Sequence, residues 1–578
     1  MPKVKEPPCR QFPHLRLIEA SAGSGKTHAL SRQYVEYLLS ETAPHRQLSN
    51  LLAITFTNNA AREMKERILE WLKRLALEPQ GGMMDEIQPR LGRDRKALSA
   101  AARAMVAAVL EHYTDFQVQT IDSFTNRLAR ASARELGFRP EFEITTSHSE
   151  LIDYALALMA SEIGPGRDPE LTGIMDEFLE LLEATGGKYP WDPMAAMRKS
   201  FAGLLEIEAK ETGQFAFSDQ RQAKKRSLQR LAAILAEIKA YAQRHGLVFD
   251  GHPKLAEALA KEDAGTILGW TSYGGGRTPI VKDAQESKEK KDLVDGSKAI
   301  WAETEEVVAE LAVAHALAGY AAYSLPYGRF KEHLETAKRR RGQHHIGDIA
   351  KRLAESLSRE MVPEIYLKLG ARLSHYLIDE FQDTDSAQWR GLTPLLIEAL
   401  ATDGSAFLVG DLKQAIYMFR KADYRIMMGL KQEVEGRTPR RWLPASVADR
   451  SQVENLGHNY RSGQVIVEYA EETFRKILPD LIAQGRFGAD LSGLTGYRQE
   501  TCKENLGRGY VEVRHIQKLP REIGDPDQGK SPVRSAILEI VRDVLGRGYG
   551  RQDIAILAGT NWELEQAIDW LTQEGIAA

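Results

Sequence analysis

Cysteine is almost missing from this sequence: only Cys9 and Cys502 occur in 578 residues. They lie far apart and neither belongs to a Cys-x-x-Cys pair. That excludes a thiolate zinc site or an iron–sulfur cluster built from this chain alone. Long hydrophobic runs are missing as well, and nothing approaches the roughly 20 apolar residues that span a bilayer. Met1 to Arg10 is polar, holds three prolines and lacks the apolar centre of a signal peptide. These features lead to the expectation of a cytosolic location, where a disulfide is not expected. A strong charge of one sign is also lacking. The net charge of −4 is not that of a protein that coats itself in nucleic acid, although a basic groove can sit on a neutral whole.

What is present is the balance of a soluble globular protein, 43% hydrophobic and 27% charged. The length exceeds what one hydrophobic core supports, so several domains are expected. Short apolar runs end in polar clusters at Leu15 to Ala20, Leu51 to Phe56, Leu377 to Asp379 and Ala406 to Gly410, with a more polar run at Phe116 to Ile121. Helical patterns lie between several of them. This alternation predicts an α/β fold with a parallel sheet covered on both faces.

Residues 125–370 read differently. Leu228, Leu231, Ile234, Leu235, Ile238 and Tyr241 recur at helical spacing, as do Val307, Leu311, Ala314 and Leu317. The segment is expected to be a mostly helical insertion, with a mobile loop over Tyr273 to Gly296. Beyond Leu443 the pattern shifts again. Gly509 to Ile516 alternates like a strand, Asp553 to Leu557 is a short apolar strand candidate, and Trp562 to Gln573 is a helix candidate closed by Gly575. Four segments are therefore expected: residues 1–124 and 371–443 form one α/β domain, 125–370 the insertion, and 444–578 the opening of a second α/β domain.

Ala20, Ser21, Ala22, Gly23, Ser24, Gly25, Lys26 and Thr27 form a glycine-rich turn between a strand and a helix. The glycines let the backbone curl so that its N–H groups face phosphate oxygens. Lys26 is the candidate for the β and γ phosphates, and the Thr27 hydroxyl for Mg²⁺. Ala20 stands where the usual pattern has glycine. Leu377-Ile-Asp-Glu-Phe-Gln-Asp383 delivers two adjacent acids at the end of an apolar strand. Asp379 is the candidate metal holder, and Glu380 the candidate base for an attacking water, roles that suit phosphoryl transfer. Taken alone, such an acid pair fits a surface turn equally well; its weight comes from following a phosphate loop.

With these residues in view, the sequence resembles the UvrD/Rep superfamily 1 DNA helicases, especially the AddA and RecB branch. Ile18 to Thr27 resembles their phosphate loop, Ile54 to Met64 their motif Ia, and Thr120 to Phe124 the next DNA-contacting motif. Ile378 to Thr384 resembles motif II, Gly410 to Arg420 motif III, and Asn459 to Ser462 motif IV. The resemblance implies a RecA-like P-loop NTPase domain, with a large helical insertion and the start of a second RecA-like domain. It implies ATP and Mg²⁺ as cofactors, single-stranded DNA in a motor groove, a duplex end as substrate and 3′ to 5′ movement. The same implication covers a partner subunit of the AddB or RecC kind, a place in the bacterial cytosol or nucleoid, and a role in double-strand break repair and recombination.

Residue roles follow by motif. Gln414 would sense the γ-phosphate, Arg461 would be an arginine finger, and Arg420 would couple nucleotide state to DNA contacts. Phe56, Tyr417 and Phe419 would stack on bases, a sequence-tolerant grip. Thr57, Asn58 and Thr120 would touch the DNA backbone. The sequence departs from the family at Phe419, where tryptophan is frequent, and at Asn59, where lysine is frequent. Gln11 is a candidate adenine reader by proximity alone. No match to motifs V and VI, nor a nuclease acid cluster, occurs before Ala578, so the second motor domain is expected to be incomplete here. Lys338-Arg-Arg-Arg341 is either a phosphate contact or a solvated helix face. Two other readings are an ATP- and DNA-binding scaffold without productive turnover, and an ATPase acting on RNA.

Overall fold

The computed structural model describes residues 11–139, 141–145, 147–184, 193–210, 221–249, 253–269, 279–280, 288–359, 362–417, 422–439, 442–485, 493–516 and 532–577. Its centre is a six-stranded, wholly parallel sheet. The strands, in chain order with those of a small ribbon, are β1 (His14–Ala20), β2 (Leu51–Thr55), β3 (Val118–Thr120), β4 (Glu143–Thr145), β5 (Gln343–His345), β6 (His375–Ile378), β7 (Ser405–Gly410) and β8 (Ser451–Leu456). The main sheet runs β3-β2-β6-β7-β1-β8, and β4 pairs with β5 apart from it.

Period-two alternation divides the strands between two cores. Leu15, Leu17, Leu52, Ile54, Tyr376, Ile378, Ala406 and Leu408 face one side, beneath helices that include Ile121–Ala131, Ser386–Ala401 and Tyr424–Val434. Ile18, Ala20, Leu51, Ala53, Leu377, Phe407 and Val409 face the other, beneath α1 (Lys26–Leu39) and α2 (Asn58–Leu77). Both faces are therefore covered, which is why β2, β6 and β7 read as unbroken buried runs. The α/β expectation is met.

The insertion is organised around one helix of 54 residues, Lys288–Arg341, about 80 Å long at 1.5 Å per residue. Trp301, Val307 and Leu311, in its first half, share a core with Leu231 and Ile238 of helix Arg221–Arg244. Tyr327, Phe330 and Leu334, in its second half, share another with Leu151, Phe178 and Phe201. Among the described residues, no helix is long and apolar enough to cross a membrane.

Several boundaries differ from the sequence reading. Ser451–Leu456 is not part of a second domain: it hydrogen-bonds to β1 as the edge of the first sheet. Thr125 to Phe142 and Ile346 to Leu369 carry Leu128, Phe142, Ile349, Leu353 and Ile365 into the core of the main sheet, so the insertion with its own cores is narrower than 125–370. Of the loop expected over Tyr273 to Gly296, residues from Lys288 onward are helix, residues 279–280 are described, and the rest lies outside the described residues. Gly509 to Ile516 and Asp553 to Leu557 form no strand, Asp553 instead closing a short turn over Arg551–Asp553. A strand needs a hydrogen-bonded neighbour, and among the described residues neither segment has one. Tyr510, Val513 and Leu557 are correspondingly exposed. The helix expected near Trp562 is present as Asn561–Gln573, and Gly575 follows it at φ 71°.

Candidate nucleotide and nucleic-acid site

The sheet order sets the chemistry. β1 ends in the glycine-rich turn, β6 ends in the two acids, and β7 runs between them. All three are parallel, so their carboxyl ends emerge on one edge, where open α/β sheets bind ligands. The turn curls through Gly23 at φ 76° and Gly25 at φ 84°, backbone that side chains with a Cβ rarely adopt. The Ser24 hydroxyl closes the curl onto the Ser21 carbonyl at 2.7 Å. No side chain caps the first turn of α1, leaving its N–H groups available to an anion.

Lys26 opens α1 and reaches across the edge. Its ammonium donates to Glu380 Oε2 at 2.7 Å and to Gln414 Oε1 at 3.3 Å. Gln414 follows β7, so it stands between the loop and the acids. Its Nε2 donates to Asp411 Oδ2 at 2.7 Å, which fixes the amide's orientation. Gln382, a fully buried residue, braces the other side. Its Nε2 donates to Glu380 Oε2 at 2.8 Å and Asp383 Oδ2 at 3.1 Å, while its Oε1 accepts the Asp411 N–H at 2.9 Å. Gly410 lets this network pack closely, because a Cβ there would displace the Gln382 amide, 2.8 Å away at Oε1, and Met427 Sδ, 2.7 Å away.

The acids are electrostatically crowded. Burial, and then the neighbouring Glu380 charge, push the Asp379 carboxyl up to about 6, against the opposing pull of Lys26. Asp383 is pushed up to about 6 by the same two causes. Asp383 Oδ1 is buried without a hydrogen-bond partner. Three carboxyls thus cluster near one ammonium, which among them bonds only to Glu380, so burial of the acids leaves the site short of positive charge. A divalent cation brought by a nucleotide fits that deficit, and the oxygens of Thr27 and Asp379 are the hard ligands that Mg²⁺ takes.

A cavity of about 310 Å³ opens over these groups, lined by Ala22, Gly23, Gly25, Lys26, Thr27, His28, Arg67, Glu380, Gln414, Tyr460 and Arg461. The arginine finger expected from a second domain, Arg461, stands directly against the loop: a Cβ on Gly23 would lie 3.0 Å from Arg461 Cβ. Asn459 explains the closeness. Its Oδ1 accepts the N–H groups of Arg461 and Ser462 at 2.9 and 2.8 Å, and its Nδ2 donates to Ala22 O at 3.1 Å. Gln11 is exposed and does not line the cavity.

The expected DNA contacts divide three ways. Phe56 and Tyr417 stack on each other, with ring centroids 5.3 Å apart and planes at 29°. They follow β2 and β7, the two neighbours of acid-bearing β6, so the pair bridges the sheet edge beside Asp379. Thr57 and Thr120 have structural work: each accepts a backbone N–H as a helix N-cap, from Ala60 at 3.1 Å and from Ser123 at 3.2 Å. Thr57 and Asn58 are not buried, whereas Thr120 is. Phe419 and Arg420 lie outside the described residues.

Lys338 is not the phosphate contact that the basic run allowed for. It is buried, and it bridges Glu335 at 2.8 Å and Asp348 at 2.7 Å. Arg341 lies over the Tyr154 ring at 4.8 Å. Arg339 and Arg340 are exposed. Sequence reasoning gave no role to His28, Arg67, Gln382, Asp383, Asp411, Tyr460 or Gln499. Four of these sit inside the quoted motifs, where an eye for polar residues next to the named ones would have found them. Gln499 carries no local signal at all.

The model of the UvrD/REP helicase N-terminal domain matches residues 5–435. The chain belongs to the UvrD/REP helicase family. That membership implies ATP use, and it accounts for a phosphate loop and an Asp-Glu pair on one sheet edge. Among curated relatives, the A subunit of the ATP-dependent helicase/nuclease from Alkaliphilus metalliredigens is 25% identical over 97% of this chain and 48% of its own length. The protein of the same name from Lactococcus lactis subsp. lactis is 22% identical over 94% of this chain and 46% of its own. The exonuclease/helicase subunit RexA of Lactococcus lactis subsp. cremoris is 24% identical over 82% and 40%. This UvrD/REP chain therefore sides with the AddA branch, as its motifs suggested, and it spans about half the length of the curated relatives it matches.

Proposed function

We propose that this chain is the ATP-driven motor portion of an AddA-like helicase. It couples ATP hydrolysis to 3′ to 5′ movement along single-stranded DNA, within an assembly that processes DNA ends for double-strand break repair and recombination. The observation that carries the reading is the meeting of Lys26, Glu380 and Gln414 at the mouth of the phosphate loop.

The chemistry follows from charge and position. Lys26 exchanges its carboxylate partner for the β and γ phosphates when ATP enters. Glu380 is then free to orient and deprotonate the attacking water. Gln414 already touches Lys26, so it registers the phosphate that Lys26 holds. Arg461 lies beside the loop and supplies positive charge to the γ-phosphate in the transition state. Thr27 and Asp379 would hold Mg²⁺, which when bound neutralises phosphate charge. The Ala20–Thr27 backbone, with Ser21, Ala22, Gly23, Ser24 and Gly25, cradles the phosphates.

Phe56 and Tyr417 open to receive a base between or upon them, with Phe419 continuing the stack and Arg420 relaying nucleotide state. Thr57, Asn58 and Thr120 border the strand's backbone. An AddB-like subunit is the partner that this reading calls for.

Steady-state ATP hydrolysis by this chain, with and without single-stranded DNA, tests the proposal. Stimulation by DNA, with displacement of streptavidin from a 5′-biotinylated but not a 3′-biotinylated strand, supports the motor. Retained ATP and DNA binding without stimulated turnover would favour a scaffold role for this portion. Stimulation by RNA alone would transfer the activity to the other nucleic acid.

A further inference from the structure

The phosphate loop is held from behind by a residue far away in sequence. Gln499 is buried, at 8% exposure. Its Nε2 donates to Ala22 O at 3.2 Å, and its Oε1 accepts Asn459 Nδ2 at 2.9 Å. Asn459 Nδ2 itself donates to the same Ala22 oxygen at 3.1 Å. Two side-chain amides, locked to each other, thus saturate both lone pairs of one loop carbonyl. The next carbonyl, Gly23 O, accepts the Tyr460 N–H at 2.9 Å.

A trans peptide is planar, with its C=O and N–H pointing in opposite directions. Holding the Ala22 carbonyl towards Gln499 and Asn459 therefore turns the Gly23 N–H away from them. The close approach also requires glycine at 23, since a Cβ there would lie 2.7 Å from Asn459 Oδ1.

Gln499 is in turn set by its surroundings. The Tyr497 hydroxyl donates to Gln499 Oε1 at 2.7 Å, which fixes which end of the amide faces Ala22. Tyr497 stands edge-on to Phe474 of helix Gln464–Ala483, with centroids 6.1 Å apart. Immediately after Gln499, Glu500 and Thr501 pair in parallel with His458 and Asn459. A continuous line of contacts runs from that helix through Tyr497 and Gln499 to the loop.

We infer that Gln499 is a positioning residue of the nucleotide site: with Asn459 it presets the Ala22–Gly23 peptide for phosphate and ties the loop to the segment that carries Arg461. The inference rests on the nucleotide-site reading above. In the free protein the preset peptide costs no reorganisation when phosphate arrives. Losing the brace therefore acts on nucleotide affinity rather than on the grip of Phe56 and Tyr417 on DNA.

The test is equilibrium titration of the chain with a fluorescent ATP analogue, using wild type, Lys26→Ala, Gln499→Met and Tyr497→Phe. Gln499→Met keeps length and neutrality but removes both amide contacts. It should weaken nucleotide binding about five- to tenfold, the worth of a lost buried hydrogen bond. Tyr497→Phe, which removes one hydroxyl, should shift it in the same direction by less, and single-stranded DNA affinity should stay at the wild-type value. A lower Tm with unchanged nucleotide affinity in both variants would make Gln499 merely structural and overturn the inference. Wild-type affinity that survives in Lys26→Ala would instead sink the nucleotide-site reading, and the inference with it.

Discussion

The Lys26 ammonium and the Glu380 carboxylate lie 2.7 Å apart across the mouth of the phosphate loop, the one only 11% exposed and the other 34%. Under the proposed function, the group for phosphate and the group for water neutralise each other. ATP would then have to separate them, so the pair would compete with substrate. Glu380→Gln removes the competing charge and the base together. It is expected to bind ATP at least as tightly as wild type while turnover falls about 100-fold or more. Lys26→Ala should lose binding itself. Nucleotide titration beside single-turnover hydrolysis separates the two, and normal turnover in Glu380→Gln would overturn the assignment of the base.

Asp379 carries a pH signature. Its carboxyl is pushed up to about 6 by burial and by Glu380, against an ordinary 3.8. A folded-state value above the unfolded one favours the protonated fold. The associated stability is complete below about 4 and is lost as pH rises towards and past 6. Above that, the ionised acid costs the nucleotide-free protein at most about 3 kcal/mol, the free energy of moving the carboxyl that far from its ordinary value. Asp379→Asn is therefore expected to raise Tm at pH 8 by at most about 2–3 °C, with the gain shrinking as pH falls to 4. It should also abolish the Mg²⁺ dependence of ATP binding. Thermal melts across pH check the first part, and a gain that does not depend on pH would show that charge is not its cause.

How much of this was legible in the sequence depends on how local the signal is. The phosphate loop and the acid pair could be read because each fits within ten residues and follows a short, largely buried strand, HLRLIEA before the loop and HYLI before the acids. β8 escaped because Ser451–Leu456 is mostly polar, with only Val453 and Leu456 apolar: as an edge strand it is covered less, and Glu454 answers Arg16 of β1 at 2.6 Å. That pairing lies 438 residues away in the chain, and no window along the sequence contains it. Gln499 escaped for the same reason. The alternation at Gly509 to Ile516 signals a strand only if a neighbour is there to pair with it. Thr57 and Thr120 show the converse: a threonine before a helix reads equally as a DNA contact and as a cap, and only the geometry reveals the cap.

Phe56 and Tyr417 make a test that distinguishes base stacking from phosphate contact. Their rings stack on each other at 5.3 Å, so a base that enters replaces one aromatic contact with another and gains area besides. Phe56→Ala or Tyr417→Ala should each cost about 1–3 kcal/mol of single-strand affinity, the worth of one stacked base. The dependence of log affinity on log salt should keep its slope, because no phosphate contact is removed. Fluorescence anisotropy at several salt concentrations reads both quantities. A flatter slope would mean that these residues hold the backbone indirectly, and unchanged affinity would remove them from the groove.

Lys338 supplies the last prediction, at the joint between the long helix and the motor. Burial works against its charge, but Asp348 and Glu335 outweigh burial and hold the ammonium above its ordinary value. Arg352, on the helix that returns to the main core, shares Glu335 at 2.6 Å. Lys338→Met leaves Asp348 facing a buried space without its cation. Removing one partner of a buried pair costs about 3–5 kcal/mol, and melting should show a large loss. Adding Asp348→Leu removes the stranded charge and should recover most of it. Neither variant should change affinity for a duplex end, because Lys338 faces inward. Arg339→Ala with Arg340→Ala should do the opposite, leaving Tm in place and lowering duplex affinity at low salt if the exposed pair meets phosphate. A Lys338→Met protein that melts normally but binds duplex weakly would return the lysine to the DNA surface.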